Sequence, residues 1–403
     1  MSALSLPGLA SSPASARRRT LAVVVAASAA LALAACGDDE HVAVDAGVTP
    51  DGSGNPDGPD LRARRVAAVA GDFTSTGVLS VVDAPSLAVQ RNVAAGVASS
   101  DPVVRAYGDE LFIVNRFGAD NVTILDATTL QLVDQISTGA GSNPQDVAVV
   151  GDTLYVAALD TAGVLVIDRA TPTQIDTVDL SALDDDGLPD CVSAYAVGTR
   201  VFVACGLLDS FAVVEPGTIA VIDTTDDTLA TTVTMPAGNP TGFFERAPAG
   251  GAFDGDLLIG TVPDFVDYST GCLVRVSTGA TPTATCGPTN QALAGYVNRV
   301  AIGDDAAWAA VTSFDAQFNG AGALVRVDLA TGTAGAALTP TTQVIQDVAS
   351  CGQYVFATDK AAGADGLRVF DTGGTVTELT TAPLDLGLPP SFGSGLACIP
   401  APL

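Results

Sequence analysis

From residue 65 onward, apolar residues fall in short runs bounded by Gly, Asp and Thr, a pattern that predicts strands and tight turns and not long helices. One stretch shows the unit in full. Pro144-Gln145-Asp146-Val147-Ala148-Val149-Val150 predicts a strand, Gly151-Asp152 a turn, and Thr153-Leu154-Tyr155-Val156-Ala157 a second strand. Residues 164–168 and 173–178 supply a third and a fourth. The third strand ends on a phrase that recurs seven times, at Val81-Val82-Asp83, Ile124-Leu125-Asp126, Val166-Ile167-Asp168, Val221-Ile222-Asp223, Val276-Ser277, Val327-Asp328 and Phe370-Asp371. From Asp83 to Asp371 the spacing averages 48 residues, the length of one four-stranded propeller blade. An Asp at the end of a strand accepts backbone N–H groups of the next turn, which explains its recurrence structurally.

The first repeat starts one strand late, at Arg65-Val66-Ala67-Ala68-Val69-Ala70, and the chain ends on a spare strand, Gly395-Leu396-Ala397-Cys398-Ile399. A ring in which the C-terminal strand completes blade one accounts for both and removes an open sheet edge. The expected fold is all-β: a seven-bladed β-propeller of four-stranded antiparallel blades, residues 64–403, with six or eight blades also compatible because blades four to six are irregular.

Composition adds an address. Arg17-Arg18-Arg19 precedes an apolar stretch, Leu21 to Leu33, that is short for a membrane span. Leu33-Ala34-Ala35-Cys36 resembles a bacterial lipobox, which implies a signal peptide over 1–35, lipid on Cys36 and a membrane anchor; an ordinary secretory signal is the alternative. Residues 36–63 are rich in Asp, Gly and Pro and predict a disordered acidic tether. Loss of the three signal arginines leaves 45 acidic against 14 basic residues, or −31, which disfavours nucleic acid and anionic lipid surfaces as partners and otherwise serves solubility.

Six cysteines remain beyond Cys36, an even number that suits disulfides in an oxidising compartment. The repeat selects among their pairings. Cys191 opens the first strand of a blade and Cys205 closes the second, so their ends meet. Cys272 and Cys286 stand alike on a third and fourth strand, and Cys351 and Cys398 lie near the ends of innermost strands in blades that the closed ring makes neighbours. No CxxC spacing points to zinc or redox work.

Leu111-Phe112-Ile113-Val114-Asn115, Asn121-Val122-Thr123-Ile124-Leu125-Asp126-Ala127-Thr128 and Asn143-Pro144 resemble the YVTN-type β-propeller repeat, and Leu154-Tyr155-Val156-Ala157 resembles it again. The likeness runs in diluted form over 64–403. It departs at the Gly-Asp turns, where that family often has Pro-Asp-Gly, and at Ser277. The family includes surface-layer-like proteins and relatives of lactonases and quinoprotein subunits, so the resemblance implies a fold more than an activity.

Turns between strands one and two are uniformly tight, whereas the loops of the opposite face lengthen through blades four to six, at 206–217, 261–270 and 312–322. The first of these carries Asp209 and Phe211, the second Asp264, Phe265 and Tyr268, and the third Phe314, Asp315, Phe318 and Asn319. Aromatic and acidic residues on loops above a rigid scaffold suit recognition of a protein or glycan, or else the rings fold back and seal the blade ends. Asp184, Asp186 and Asp190, with Gly187 between them, resemble part of a calcium loop, although Ala182 stands where the first ligand belongs. A solvated acidic turn is the other reading.

The only histidine, His41, lies in the tether, which disfavours a Ser-His-Asp hydrolase, His-ligated zinc and haem. Carboxylate chemistry remains open through Glu110, Glu215, Glu245 and Glu378, with Glu245 the best placed because Phe243-Phe244-Glu245 falls on an innermost strand beside the channel. The reading that follows is a lipid-anchored, extracytoplasmic, non-catalytic module that binds a protein or glycan through its long-loop face. A carboxylate- or Ca²⁺-dependent enzyme of the channel, glycosidase- or lactonase-like, is the alternative, and a structural envelope protein a third.

Overall fold

The computed structural model describes residues 64–400 except Phe265, Ala316, Phe318, Thr341 and Thr342. The signal segment, Cys36 and the tether, together with Phe265 and Phe318, therefore lie outside the described residues. Seven four-stranded antiparallel sheets form the blades. The innermost strands of blades two to seven are Pro102–Tyr107, Pro144–Val150, Cys191–Val197, Pro240–Arg246, Tyr296–Ile302 and Ile345–Cys351. Blade one is shared between the chain ends: Val89–Gln90, Gly77–Asp83 and Arg65–Gly71 come from the start, and Leu396–Ile399 is the innermost strand. Arg65 is registered with Ile399 and Ala68 with Leu396, so the ring closes as its repeat phase requires.

Strands near the axis are buried on both faces, which is why they read as unbroken apolar runs. Outermost strands face water, and Thr228–Thr234 is rich in β-branched residues along an exposed edge. Each gap between neighbouring blades holds its own apolar cluster, and the set runs round the ring through the join of blades seven and one. Phe244, fully buried between blades four and five, is typical. Truncating such a ring to Ala costs about 3–5 kcal/mol.

The repeated Asp closes the turn after strand three. Asp126 Oδ1 accepts from the N–H groups of Thr128 and Thr129, Asp168 from Ala170, Asp223 from Thr225, Asp328 from Thr331 and Asp371 from Gly373. Ser277 does the same work with its hydroxyl, accepting from Thr283 at 2.9 Å. Asp83 differs: its carboxylate pairs with Arg65 Nε at 3.0 Å within blade one.

Disulfides join Cys191 to Cys205, Cys272 to Cys286, and Cys351 to Cys398. They fit an oxidising, extracytoplasmic compartment. Cys286 sits inside its strand, Ala284–Thr289, and not at its end; it pairs with Val274, two residues along from Cys272, so the bridge runs on the diagonal. Two long loops also differ from expectation. The 312–322 segment is mostly strand, because the hairpin of Ala306–Phe314 and Gly320–Asp328 runs past the blade. The 206–217 segment folds a small hairpin of its own, Leu208–Asp209 against Ala212–Val213. Among the described residues no helix is long and apolar enough to cross a membrane.

Candidate functional site

The central channel is divided by a layer of buried charge. Arg105 of blade two forks onto Asp146 of blade three, with Nε–Oδ1 at 2.9 Å and Nη2–Oδ2 at 2.8 Å. Ser193 Oγ and the Ala194 N–H, from blade four, both donate to Asp146 Oδ2 at 2.9 Å. Arg299 of blade six donates to Glu245 Oε1 of blade five at 2.6 Å and to the Phe243 carbonyl at 3.0 Å. Both guanidiniums pack on the ring of Phe243, 4.1 Å and 5.0 Å from its centroid. Asp347 of blade seven accepts from the Gly395 N–H at 2.6 Å, tying the layer to the closing strand. Six blades and the C-terminal segment thus meet in one polar network.

Local backbone explains why these side chains meet. Bulges interrupt the pairing of innermost strands immediately before Asp146, Ser193, Arg299 and Asp347. An extra residue at each point re-aims the side chain that follows it. In blade five the irregularity runs from Thr241 to Glu245 and includes Gly242 at φ 72°. A Cβ there would stand 2.3 Å from the Asn298 carbonyl oxygen, so only glycine lets blades five and six approach this closely.

Burial sets the electrostatics of the layer. It raises the Asp347 carboxyl to about 6, against the opposing pull of Arg299 and the N–H groups of Val348, Gly395 and Ser394. Burial opposes the charge on Arg105, but Asp146, with Tyr107 and Glu245, more than offsets this and keeps the guanidinium protonated above its ordinary range.

On the long-loop side the channel opens as a cavity of about 200 Å³ lined by Gln145, Tyr296, Asn298, Arg116 and Phe392 among others. The loop residues singled out in the sequence divide around it. Phe314 folds back on Tyr296, centroids 6.2 Å apart, and seals its blade end. Asp315 accepts from the Gln317 and Asn319 N–H groups and from the Asn319 side chain, so both are spent within their own turn. Asp264 likewise takes the Val266 and Asp267 N–H groups. Asp209 is exposed and Tyr268 half-buried. Phe211 is 80% exposed, on the small blade-four hairpin.

The sequence reading missed a second set of rings on this face, carried by blades seven, one and two. Phe73, Phe117 and Phe392 are 55%, 75% and 43% exposed. Lys360, the only lysine of the chain, sits between two of them, its Nζ 5.5 Å from the Phe73 ring and 5.6 Å from that of Phe392. It donates to the Pro390 carbonyl at 2.8 Å, and burial pushes its pKa down. Arg116 pairs with Asp101 at 2.5 Å and donates to the Phe392 carbonyl at 3.5 Å. Phe residues isolated beside Asp or Gly, as in Asp72-Phe73 and Phe117-Gly118, are the signal that marks them.

Three carboxylates of the acidic interblade loop accept backbone N–H groups, while Asp184 Oδ2 is buried without a hydrogen-bond partner. Asp184 Oδ1 accepts from the Asp186 N–H at 3.4 Å, Asp186 Oδ1 from Leu188 at 2.8 Å and Asp190 Oδ2 from Leu208 at 2.9 Å. Among the described residues no three His, Cys, Asp or Glu side chains stand together closely enough to hold a metal ion. Glu245 lines the other mouth of the channel, with Oε1 committed to Arg299.

No family profile and no curated protein matches this chain. Solved structures do. The β-propeller domain of Cps50 (Swd1) from Myceliophteria thermophila superposes with a TM-score of 0.56 at 11% identity, covering 78% of this chain and 95% of that one. Apo AztD from Citrobacter koseri gives a TM-score of 0.48 at 13% identity, over 83% and 97% of the two chains. The propeller domain of the Trilobed protease from Pyrococcus furiosus gives 0.42 at 10%, over 69% and 83%. The likeness is one of fold.

Proposed function

We propose that this chain is a lipid-anchored, extracytoplasmic propeller of YVTN type that works without catalysis, binding a protein or glycan of the cell envelope through its long-loop face. One observation carries the reading. Phe73, Phe117 and Phe211 stand exposed on that face with φ of 56°, 20° and 68°. A bulky side chain in left-handed backbone costs on the order of 1–3 kcal/mol, and leaving its ring in water forgoes the burial that would offset the cost. A partner that covers the rings supplies that burial. The cavity lined by Gln145, Asn298 and Phe392 opens on the same face and adds concave surface to it. The Cys191–Cys205 and Cys272–Cys286 bridges stiffen the hairpin ends that carry the blade-four and blade-five loops.

The experiment is a cross-linking pull-down from native envelope with the parent and with a Phe73→Ala, Phe117→Ala, Phe211→Ala, Phe392→Ala variant. Capture of one protein or glycan by the parent and its loss in the variant supports the proposal; identical capture by both sinks it. The anchor is tested separately. Cys36→Ala is expected to move the chain from the membrane pellet to the soluble fraction, and an unchanged pellet removes the anchor from the reading.

A further inference from the structure

The opposite mouth of the channel has a different character. It opens among the tight turns between strands one and two, encloses about 170 Å³, and is walled by apolar strand edges such as Ala106, Ala301 and Leu396. Its charged lining is Arg105, Arg246 and Arg299 against one carboxylate, Glu245. Asp146 and Asp347 neutralise the two buried arginines from behind but are fully buried and do not line the space. In a chain of formal charge −28, the lining of this cavity gathers three guanidiniums and one acid, with Arg105 and Arg299 held in ion pairs by Asp146, Glu245 and Asp347.

Two of those guanidiniums are prepared for a ligand. Arg105 and Arg299 are each 5% exposed, so folding has already removed them from water and fixed their planes. Arg105 uses three of its five N–H groups in hydrogen bonds and Arg299 two. Glu245 Oε1, 2.6 Å from Arg299 and 3.9 Å from Arg105, already illustrates what the pair recognises: a carboxylate oxygen between two forks.

We infer that this cavity is a second binding site, separate from the long-loop face, for a small molecule bearing an oxyanion, either a carboxylate or a phosphate. Guanidinium forks match the geometry of both groups, and apolar walls lower the local dielectric, which strengthens the attraction. The rest of the ligand lies along the strand edges. Glu245 is the opposing charge that limits affinity.

The test is calorimetric titration of the detergent-solubilised full-length protein at fixed ionic strength, with inorganic phosphate and D-glucuronate as separate arms. Saturable one-to-one binding of either anion is expected. Glu245→Gln tightens it about tenfold by removing a like charge a few ångströms away, and Arg246→Gln weakens it about tenfold. Phosphate alone assigns a phosphorylated ligand, glucuronate alone a sugar carboxylate, and both a general oxyanion site. The Phe73→Ala, Phe117→Ala, Phe211→Ala, Phe392→Ala variant binds these anions as the parent does. No saturable heat for either anion, in the parent and in Glu245→Gln, overturns the inference. Binding that ignores both Glu245→Gln and Arg246→Gln overturns it as well, because that marks an adventitious ion only.

Discussion

Arg105 and Asp146 face each other across the join of blades two and three in a two-point pair, at 2.9 Å and 2.8 Å, with the aspartate wholly removed from water. Ser193 and the Phe244 carbonyl extend the pair into blades four and five. The energetic weight of such a pair lies in what remains when half of it is removed.

Asp146→Ala leaves a buried guanidinium without its countercharge, and a loss of about 3–5 kcal/mol in chemical denaturation is expected. The double replacement Arg105→Leu, Asp146→Leu is expected to fall much closer to the parent. If the single and double variants lose the same amount, the pair carries no coupling.

Closure makes a second prediction. The Cys351–Cys398 bridge spans 47 residues and links the innermost strand of blade seven to the closing strand of blade one. Replacing both cysteines with Ser is expected to cost about 2–4 kcal/mol. The four-residue strand Leu396–Ile399 is expected to exchange its amide hydrogens sooner than the rest of blade one. Uniform exchange across blade one would show that the strand pairing alone suffices.

Asp347 predicts a pH dependence. Its carboxyl rises from 3.8 to about 6 on burial, so between those values the folded protein holds more protons than the unfolded chain. Its contribution to stability therefore falls as pH rises from about 4 to 6 and stays low above that, by a few kcal/mol at most. Asp347→Asn, which can still accept from the Gly395 N–H, is expected to raise stability at pH 7 and change little at pH 4. A parallel pair of stability curves for parent and variant would refute the assignment.

For the acidic loop, each of Asp184, Asp186 and Asp190 accepts a backbone N–H of its own or the adjoining loop. EDTA is accordingly expected to leave the melting temperature unchanged, as is millimolar Ca²⁺. A rise with Ca²⁺ that disappears in Asp184→Ala, Asp186→Ala would support the calcium reading.

What the sequence by itself determined is everything with a local or periodic cause. The spacing of Asp83 through Asp371 carried the blade length, because Asp126, Asp168, Asp223, Asp328 and Asp371 each answer to their own turn. The late start at Arg65 and the spare strand at Leu396 carried the closure, and the assignment of the cysteines to neighbouring strands carried their three pairings. The charged layer was not legible, although Gln145-Asp146-Val147-Ala148 and Gln346-Asp347-Val348-Ala349 repeat the same four residue types. Arg105 and Asp146 are 41 residues apart, and Arg105 reaches Phe244 across 139. Only the bulges and the closed ring bring such positions to one axis. The aromatic rim failed for a similar reason. Phe314 and Phe211 lie on comparable loops, yet one is covered by Tyr296 and the other stands in water. That distinction depends on which neighbour reaches over the loop, and chain proximity does not encode it.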